Sequence, residues 1–585
     1  MSSKKFQLSV VTTALLSAFA VQANDSTPMY GIISVDVSSD IQYSFNEVYG
    51  VAIQPATQEQ LEQLDPSDAG LGCFAMNTQT DVDCQNDFAL AGETRIRVDS
   101  VSMLNEVPFA MDASFGYIED YDSFKSYCYR ERLYATCESW SETYWNAWRN
   151  VLNGVENIKS FVEGGEFKNT DFDNHITSLN PDGSAVGMQS NAAADDVYAP
   201  RRKITSVPSL TTSEGVEEYR AWAQLDVVDE TTASTTSYVV GSSSRIRENT
   251  NGNHFISNAS VWTSVDGSDF EFTRINWPSN KEKDGERLAQ GSIRDIAQTE
   301  DGIYAVGYNT YDNSNNYYEA SVFAMNSEGT FVNNSDVSGA KAKNNDGDVV
   351  YSNTQLVSIN NNGIALGESK LYGSRPENGA AANKPFIVED ITNPTAKYLQ
   401  DYGQSLFFTG VGADLGAINN FNELVGSIDA TQARENDGQP RRNRGFIYTV
   451  PNQDTSSRAS LFRNKAWLLD DLTNDGDVNG NNNKYRIISA SDINDAGVIS
   501  ATAIYCADGY DDTSHNSYCG DRAGVEQVVA VKLVPNQLID EDNDGEGDLP
   551  EIISRSVNDP AVERQGAGFG WMFLVALGFL GFRRK

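Results

Sequence analysis

The side chains best able to do chemistry in this 585-residue chain are carboxylates: 82 Asp and Glu stand against 43 Lys and Arg and three histidines, His175, His254 and His515. Their densest run is near the C-terminus. Asp540, Asp542, Asp544, Gly545, Glu546, Asp548 and Glu551 fall at positions 1, 3, 5, 6, 7, 9 and 12 of a twelve-residue loop. Calcium takes six to eight oxygen ligands, and alternate carboxylates with a glycine at the reversal can supply them. In such a loop Glu546 would offer its backbone carbonyl, Asp548 would bind directly or through water, and Glu551 would close the shell with two oxygens. Gly547 at position 8, Pro550 at position 11 and the lack of helical flanks depart from the full helix-loop-helix pattern. The alternative is an acidic, solvated linker. A second loop, Asp475 to Gly480, has oxygen ligands at positions 1, 3 and 5 but Arg486 at position 12. Calcium is the one cofactor the sequence suggests.

Other chemistry is scarce. No HExxH, GxSxG, P-loop or dinucleotide fingerprint occurs. Six cysteines fall in three close couples, 73 with 84, 128 with 137 and 506 with 519. None has CxxC spacing, so three local disulfides are expected in place of a metal site. A hydrolase working through paired carboxylates stays open, because 82 acids allow many pairs and the sequence does not say which two meet.

The elements that would position these groups are read from a recurring stretch. Ser358 to Gly367 has an apolar residue, then Asn, a Gly three positions on, and a closing Gly four further. Copies end at Gly187, Gly426 and Ala501, and looser ones at Gly241 and Gly307. Apolar runs around an Asn/Gly turn are a β-hairpin signature, and Gly within a strand marks a close backbone approach. The spacing of about sixty residues predicts blades of an all-β, β-propeller-like repeat domain, six to seven in number. Between the copies lie aromatic strands: Ala221–Ala223, Val322–Met325, Pro385–Val388, Gly445–Tyr448 and Ala466–Leu469. This alternation resembles the HAF-type repeats of secreted bacterial proteins over roughly residues 170 to 535, which implies a propeller-like architecture.

Residues 1–23 read as a signal peptide, with Lys4 and Lys5 before an apolar segment and Val21-Gln22-Ala23 at the cleavage site. The repeat domain would occupy 24–537. Within it, Tyr144, Trp148, Leu152, Val155, Ile158 and Phe161 suggest a small helical insertion at about 119–165. Its aromatic residues are read as packing on a blade, the alternative being a platform for a sugar or peptide. Residues 538–565 form the acidic linker that carries the candidate calcium loop, with 552–565 expected to be flexible.

Residues 566–585 begin Gly-Ala-Gly, continue as an apolar run and end Arg583-Arg584-Lys585. This order resembles a GlyGly-CTERM (rhombosortase-type) sorting signal, although that family usually has Gly-Gly. With both ends taken together, the chain resembles a family of exported Gram-negative proteins. The resemblance implies a transient inner-membrane helix through 569–582, a processing protease of the rhomboid class and the type II secretion machinery, with a cell-surface or extracellular destination. The alternative is a plain membrane anchor. Without both ends, which hold five basic residues and no acid, 38 basic groups face 82 acidic ones, which argues against nucleic acid as a partner. The reading favours a non-enzymatic binding protein for an unidentified extracellular ligand. An extracellular carboxylate-dependent enzyme, of glycosidase or lyase type and acting on a polymer, is the alternative, and a structural envelope protein a third.

Overall fold

The computed structural model describes residues 27–557, apart from 97–120, 147–156, 165–172, 191–203, 436–440, 452–456, 541–546 and breaks of four residues or fewer. The expected signal peptide and C-terminal sorting segment therefore lie outside the described residues. So do Tyr144, Trp148, Leu152 and Val155, and Asp542, Asp544 and Glu546 of the acidic loop.

The architecture is an all-β propeller. Among the described residues five sheets have four or more strands, a sixth has three and a seventh is a two-stranded ribbon. The seven-stranded sheet holds two blades, whose strands meet at a parallel pair, Glu47 with Val528. Seven inner strands result: Glu47–Ile53, Asn174–Leu179, Glu218–Asp229, Ser292–Thr299, Val349–Ile359, Ala413–Ile418 and Tyr485–Ile493, in blades 1 to 7. Each packs against the inner strand of the next blade, and blade 7 against blade 1, closing a ring. An apolar cluster fills each of the seven gaps, as expected where a single blade cannot bury both of its faces.

The ring is closed by the ends of the domain. Tyr30–Ser34 pairs antiparallel with Glu526–Pro535 and so completes blade 7, whose other strands lie about 500 residues further along the chain. Blade 1 carries the large insertions. Its first hairpin is replaced by a connection from Gln54 to Ala89, with helix Gln58–Leu64 and disulfide Cys73–Cys84. Its second and third strands are separated by the expected helical segment, where helix Tyr121–Tyr127 is held by Cys128–Cys137. The helical reading does not extend as far as expected: Ile158 and Phe161 lie in strand Ile158–Val162, buried throughout. Apolar side chains on both faces of a short strand mimic helical spacing. Cys506–Cys519 forms the third disulfide.

The aromatic strands do not all take the same place in a blade. Phe323, Phe386 and Phe446 do sit in third strands. Trp222 is in the inner strand of blade 3, and Trp467 in the outermost strand of blade 6. Phe386 and Phe446 lie directly across from the closing glycines Gly367 and Gly426. The glycine leaves room for the ring, so the two sequence motifs are the halves of one cross-strand pair.

Residues 552–557, expected to be flexible, are docked. Asn474 donates to the Ile553 carbonyl at 2.8 Å, and His515 N–H to that of Ser556 at 2.9 Å. Arg555 is buried, donating to the Asp470 carbonyl at 2.8 Å and to Asn483 Oδ1 at 3.1 Å. A polar run reads as solvated, yet here Arg555, Asn474 and the His515 N–H together hold it to the propeller. Among the described residues no helix is long and apolar enough to cross a membrane.

Candidate functional site

The seven inner strands share one irregularity. Each slips register at the same level, leaving Val51, Thr177, Trp222, Arg294, Val357, Gly416 with Ala417, and Ser491 without a cross-strand partner; the inner strands of blades 5 and 7 slip a second time, between Tyr351 and Thr354 and between Ile487 and Ser489. A bulge re-aims its extra residue. Here every one of them lines a cavity of about 520 Å³ at the centre of the ring. The residue before each bulge pairs with the closing small residue of the repeat: Ile176 with Gly187, Ala221 with Gly241, Ile293 with Gly307, Leu356 with Gly367, Leu415 with Gly426 and Ala490 with Ala501. A Cβ at Gly187, Gly241 or Gly307 would overlap the carbonyl of His175, Arg220 or Ser292. In these blades the bulge leaves no room for a side chain at the glycine, whereas blade 7 accommodates Ala501 at the equivalent place.

The position after the bulge sets the chemistry. It is occupied by Ala52, Ser178, Ala223, Asp295, Ser358 and Asp492 in blades 1 to 5 and 7, and its equivalent in blade 6 is Ala417, the second residue of the wider bulge there. Asp295 Oδ2 accepts from Ser358 Oγ and from the Ile359 N–H, both at 2.9 Å, and Oδ1 from the Ile296 N–H at 2.8 Å. Asp492 repeats this across the ring closure. Its Oδ2 accepts the Ile53 N–H at 2.9 Å and its Oδ1 the Ile493 N–H at 2.8 Å. Burial raises Asp295 to about 6. Burial, with the Asp295 charge adding to it, raises Asp492 to about 7. Both effects disfavour the anion.

Around these two, Arg294 stacks on Trp222 with its guanidinium carbon 3.8 Å from the ring centre. Asp414 lines the cavity, and Glu368 stands behind it, accepting the Leu415 N–H at 3.1 Å. Burial and the Asp414 charge raise Glu368 to about 8. Gln355 also lines the cavity. It is 8% exposed, and its Oε1 accepts no hydrogen bond from the described residues.

The repeat asparagines form a ladder between blades at the turns that follow the inner strands. Asn360 Nδ2 donates to the Asn419 carbonyl at 2.9 Å, Asn419 Nδ2 to the Asn494 carbonyl at 3.1 Å, and Asn494 Nδ2 to the Gln54 carbonyl at 3.0 Å. Gln54 continues to the Pro181 carbonyl at 2.7 Å, in the turn of blade 2. Meanwhile Oδ1 of Asn360 and Asn419 caps its own turn. Asparagine is needed here as both donor and acceptor, beyond its tolerance of turn conformations.

The expected calcium loop is seen only at its ends. Ile539 and Asp548 form an antiparallel bridge, with Asp548 N–H donating to the Ile539 carbonyl at 2.9 Å. Glu551 is exposed and Asp540 partly so. Among the described residues no three potential ligands group together. In the Asp475 loop, Asp475 and Asp477 accept from the N–H groups of Asp477 and Asn479, as turn residues do. His515, unremarked in the sequence, bridges Asp470 and Asp471 at 3.3 and 3.4 Å beneath Arg555. The sequence reading also missed Asp295, Asp492, Trp222 and Arg294. A signal was available: Asp492 precedes the apolar residue of its repeat where the other copies have Ser178, Ser358 and Ala417.

No curated protein matches the chain. Among solved structures it is similar to a GH32 β-fructofuranosidase of Bombyx mori, at 14% identity and a TM-score of 0.25, over 46% of this chain and 60% of that one, less than two thirds of its length. It is similar also to a mannose phosphorylase from Leishmania mexicana, at 8% identity and a TM-score of 0.23, over 60% and 92% of the two chains. A glycosyl hydrolase from Bacteroides ovatus matches at 12% identity and a TM-score of 0.24, over 58% and 88%. A family model matches residues 225–585, more than half of the sequence, and the chain accordingly belongs to the family described as protein of unknown function (DUF3466).

Proposed function

We propose that this is an exported binding protein whose central channel takes a neutral, hydroxyl-rich ligand such as a segment of a saccharide. The observation that carries the reading is the cavity of about 520 Å³ onto which all seven inner strands converge. Its size is that of a small-ligand site. Its wall offers acceptors for hydroxyl groups in Asp295, Asp414, Asp492 and Gln355, and hydroxyls in Thr177, Ser178, Ser358, Ser427, Ser489 and Ser491. Three carboxyl groups against one guanidinium disfavour anionic ligands. The test is calorimetry with maltohexaose, xylohexaose and mannohexaose, alongside tryptophan fluorescence of the protein and of Trp222→Phe. Saturable heat with at least one sugar, and a fluorescence change lost in Trp222→Phe, is expected. No heat with any of the three sinks the reading.

Export and processing belong to the same proposal. Residues 1–23 would be removed on export, and a rhomboid-class protease would cut near Ala567 before type II secretion. The intact mass of protein recovered from outside the cell checks this; a chain still ending in Arg584-Lys585 on the outer surface contradicts it. Calcium, held by Asp540, Asp542, Asp544, Glu546, Asp548 and Glu551, would stiffen the loop beyond the propeller at about 10⁻⁴–10⁻³ M, the range of extracellular sites. Unchanged protease sensitivity of residues 538–565 at millimolar calcium removes the metal from the account.

A further inference from the structure

We propose that the channel also cleaves what it binds, with Asp492 as proton donor and Asp295 as base for hydrolysis of a glycosidic bond held between them. The inference rests on the reading that the channel holds a hydroxyl-rich ligand, and adds a reaction to it. Blades 4 and 7 are as far apart as a ring of seven allows, and both aspartates line the one cavity.

Their hydrogen bonds differ in the way the two roles require. Asp295 accepts three, two of them on Oδ2. Asp492 accepts two, one N–H on each oxygen. More donors hold a negative charge better, so Asp295 is the carboxylate and Asp492 the acid. An independent feature points to a ligand in the same place: Gln355, 8% exposed, lines the cavity with an Oε1 that accepts no hydrogen bond from the described residues. A sugar hydroxyl would satisfy it.

In the reaction, Asp492 gives its proton to the glycosidic oxygen as the bond from that oxygen to the anomeric carbon breaks. Asp295 takes a proton from a water whose oxygen bonds to the same carbon. The products are an alcohol and a hemiacetal. Asp295 then carries the proton that Asp492 lost, and exchange with solvent restores both. Because water attacks the anomeric carbon directly in this scheme, with no covalent intermediate, the anomeric configuration inverts. The charged and titratable groups facing the pair are Arg294 on its Trp222 platform, Asp414, and Glu368 behind Leu415. With Asp295 at about 6 and Asp492 at about 7, the rate should peak between those values.

The test uses the full mature chain on dextran, xylan, mannan, levan and amylose, with alginate as an acidic control, reading new reducing ends and the calorimetric heat of binding. Cleavage of at least one neutral polymer is expected, with inversion seen by NMR. Asp492→Asn and Asp295→Asn should each slow it by about 10²-fold or more while binding persists. Binding without cleavage overturns this inference and leaves the channel reading standing, whereas absence of binding overturns both. Cleavage unaffected by either substitution also overturns it. Should a variant fail to fold, the unmutated protein decides: a rate flat from pH 5 to 8 contradicts the assignment.

Discussion

Asp492 in blade 7 accepts the backbone N–H of Ile53 in blade 1 at 2.9 Å. It is the same bond that Asp295 of blade 4 makes to Ile359 of blade 5, placed where the propeller must join its last blade to its first. Beside it, Thr502 Oγ1 accepts the Gly50 N–H at 3.2 Å, as Glu368 accepts that of Leu415. The seam is therefore built like the other joints, and its buried acid is part of the joint as well as of the channel wall.

That dual role gives a pH dependence with a definite sign. Asp295 and Asp492 have folded-state values of about 6 and 7, above the ordinary carboxylate value of 3.8. A raised carboxyl binds its proton more tightly in the folded state. Its stabilisation is complete below about pH 4 and is lost as pH rises through 6 to 7. His515, also raised, by its hydrogen bonds to Asp470 and Asp471 against the opposing effect of burial, acts in the same direction. The unfolding free energy from urea titration should fall between pH 5 and pH 8, by on the order of a few kcal/mol in total. Asp492→Asn should flatten the slope. A protein more stable at pH 8 than at pH 5 contradicts the assignment.

The asparagine ladder can be separated from simple turn propensity. Asn419 spans two blades, whereas the Asn180 side chain bonds Ser184 within its own turn. Asn419→Ala should cost about 1–3 kcal/mol, since it leaves buried partners unmet. Asn180→Ala should cost under about 1 kcal/mol. Equal losses in chemical denaturation would show that the contacts between blades add nothing.

The closing glycines are a steric requirement. Gly307→Ala places a Cβ on the Ser292 carbonyl and against the Ile293 backbone, so the bulge that carries Arg294 must deform. A loss of about 1–3 kcal/mol is expected. The reverse change at the equivalent site of blade 7, Ala501→Gly, opens no comparable clash and should cost about 1 kcal/mol, the usual penalty of a strand glycine. Thermal melts of the two variants compare them directly, and a Gly307→Ala protein as stable as the parent refutes the bulge argument.

How much of this was readable from the sequence depends on how local each feature is. The hairpins around Asn360, Asn419 and Asn494 were legible because Asn and Gly signal turns within a few residues. Blade 1 was not, since the connection from Gln54 to Ala89 replaces its turn. The pairing of Tyr30–Ser34 with blade 7 was not visible, because its partner lies about 500 residues away. The place of Trp222 on the channel wall was hidden because a bulge, which the sequence does not announce, changes the face on which it lies. The acids of the channel were hidden among 82 candidates; only the ring brings Asp295 and Asp492 to one cavity. The three disulfides were local enough to be read from spacing alone.

The segment after the propeller should be released by a single change. Arg555 reaches Asp470, Asn483 and Thr513, and its own N–H bonds Asp471 at 2.7 Å. Arg555→Ala breaks a buried charged anchor, for which a loss of about 3–5 kcal/mol is typical. Limited proteolysis should then cut within residues 547–557 while the propeller survives. Resistance equal to that of the parent would mean that the segment is held without Arg555.

The most direct measurement of the central claim is sugar binding by a protein whose channel has been filled. Ala417 lines the cavity at the bulge of blade 6, and Ala417→Trp projects an indole into it. Calorimetry with the hexasaccharide bound by the parent, on a variant whose circular dichroism is unchanged, should give no heat. Undiminished binding by the filled protein would place the ligand elsewhere and contradict the account.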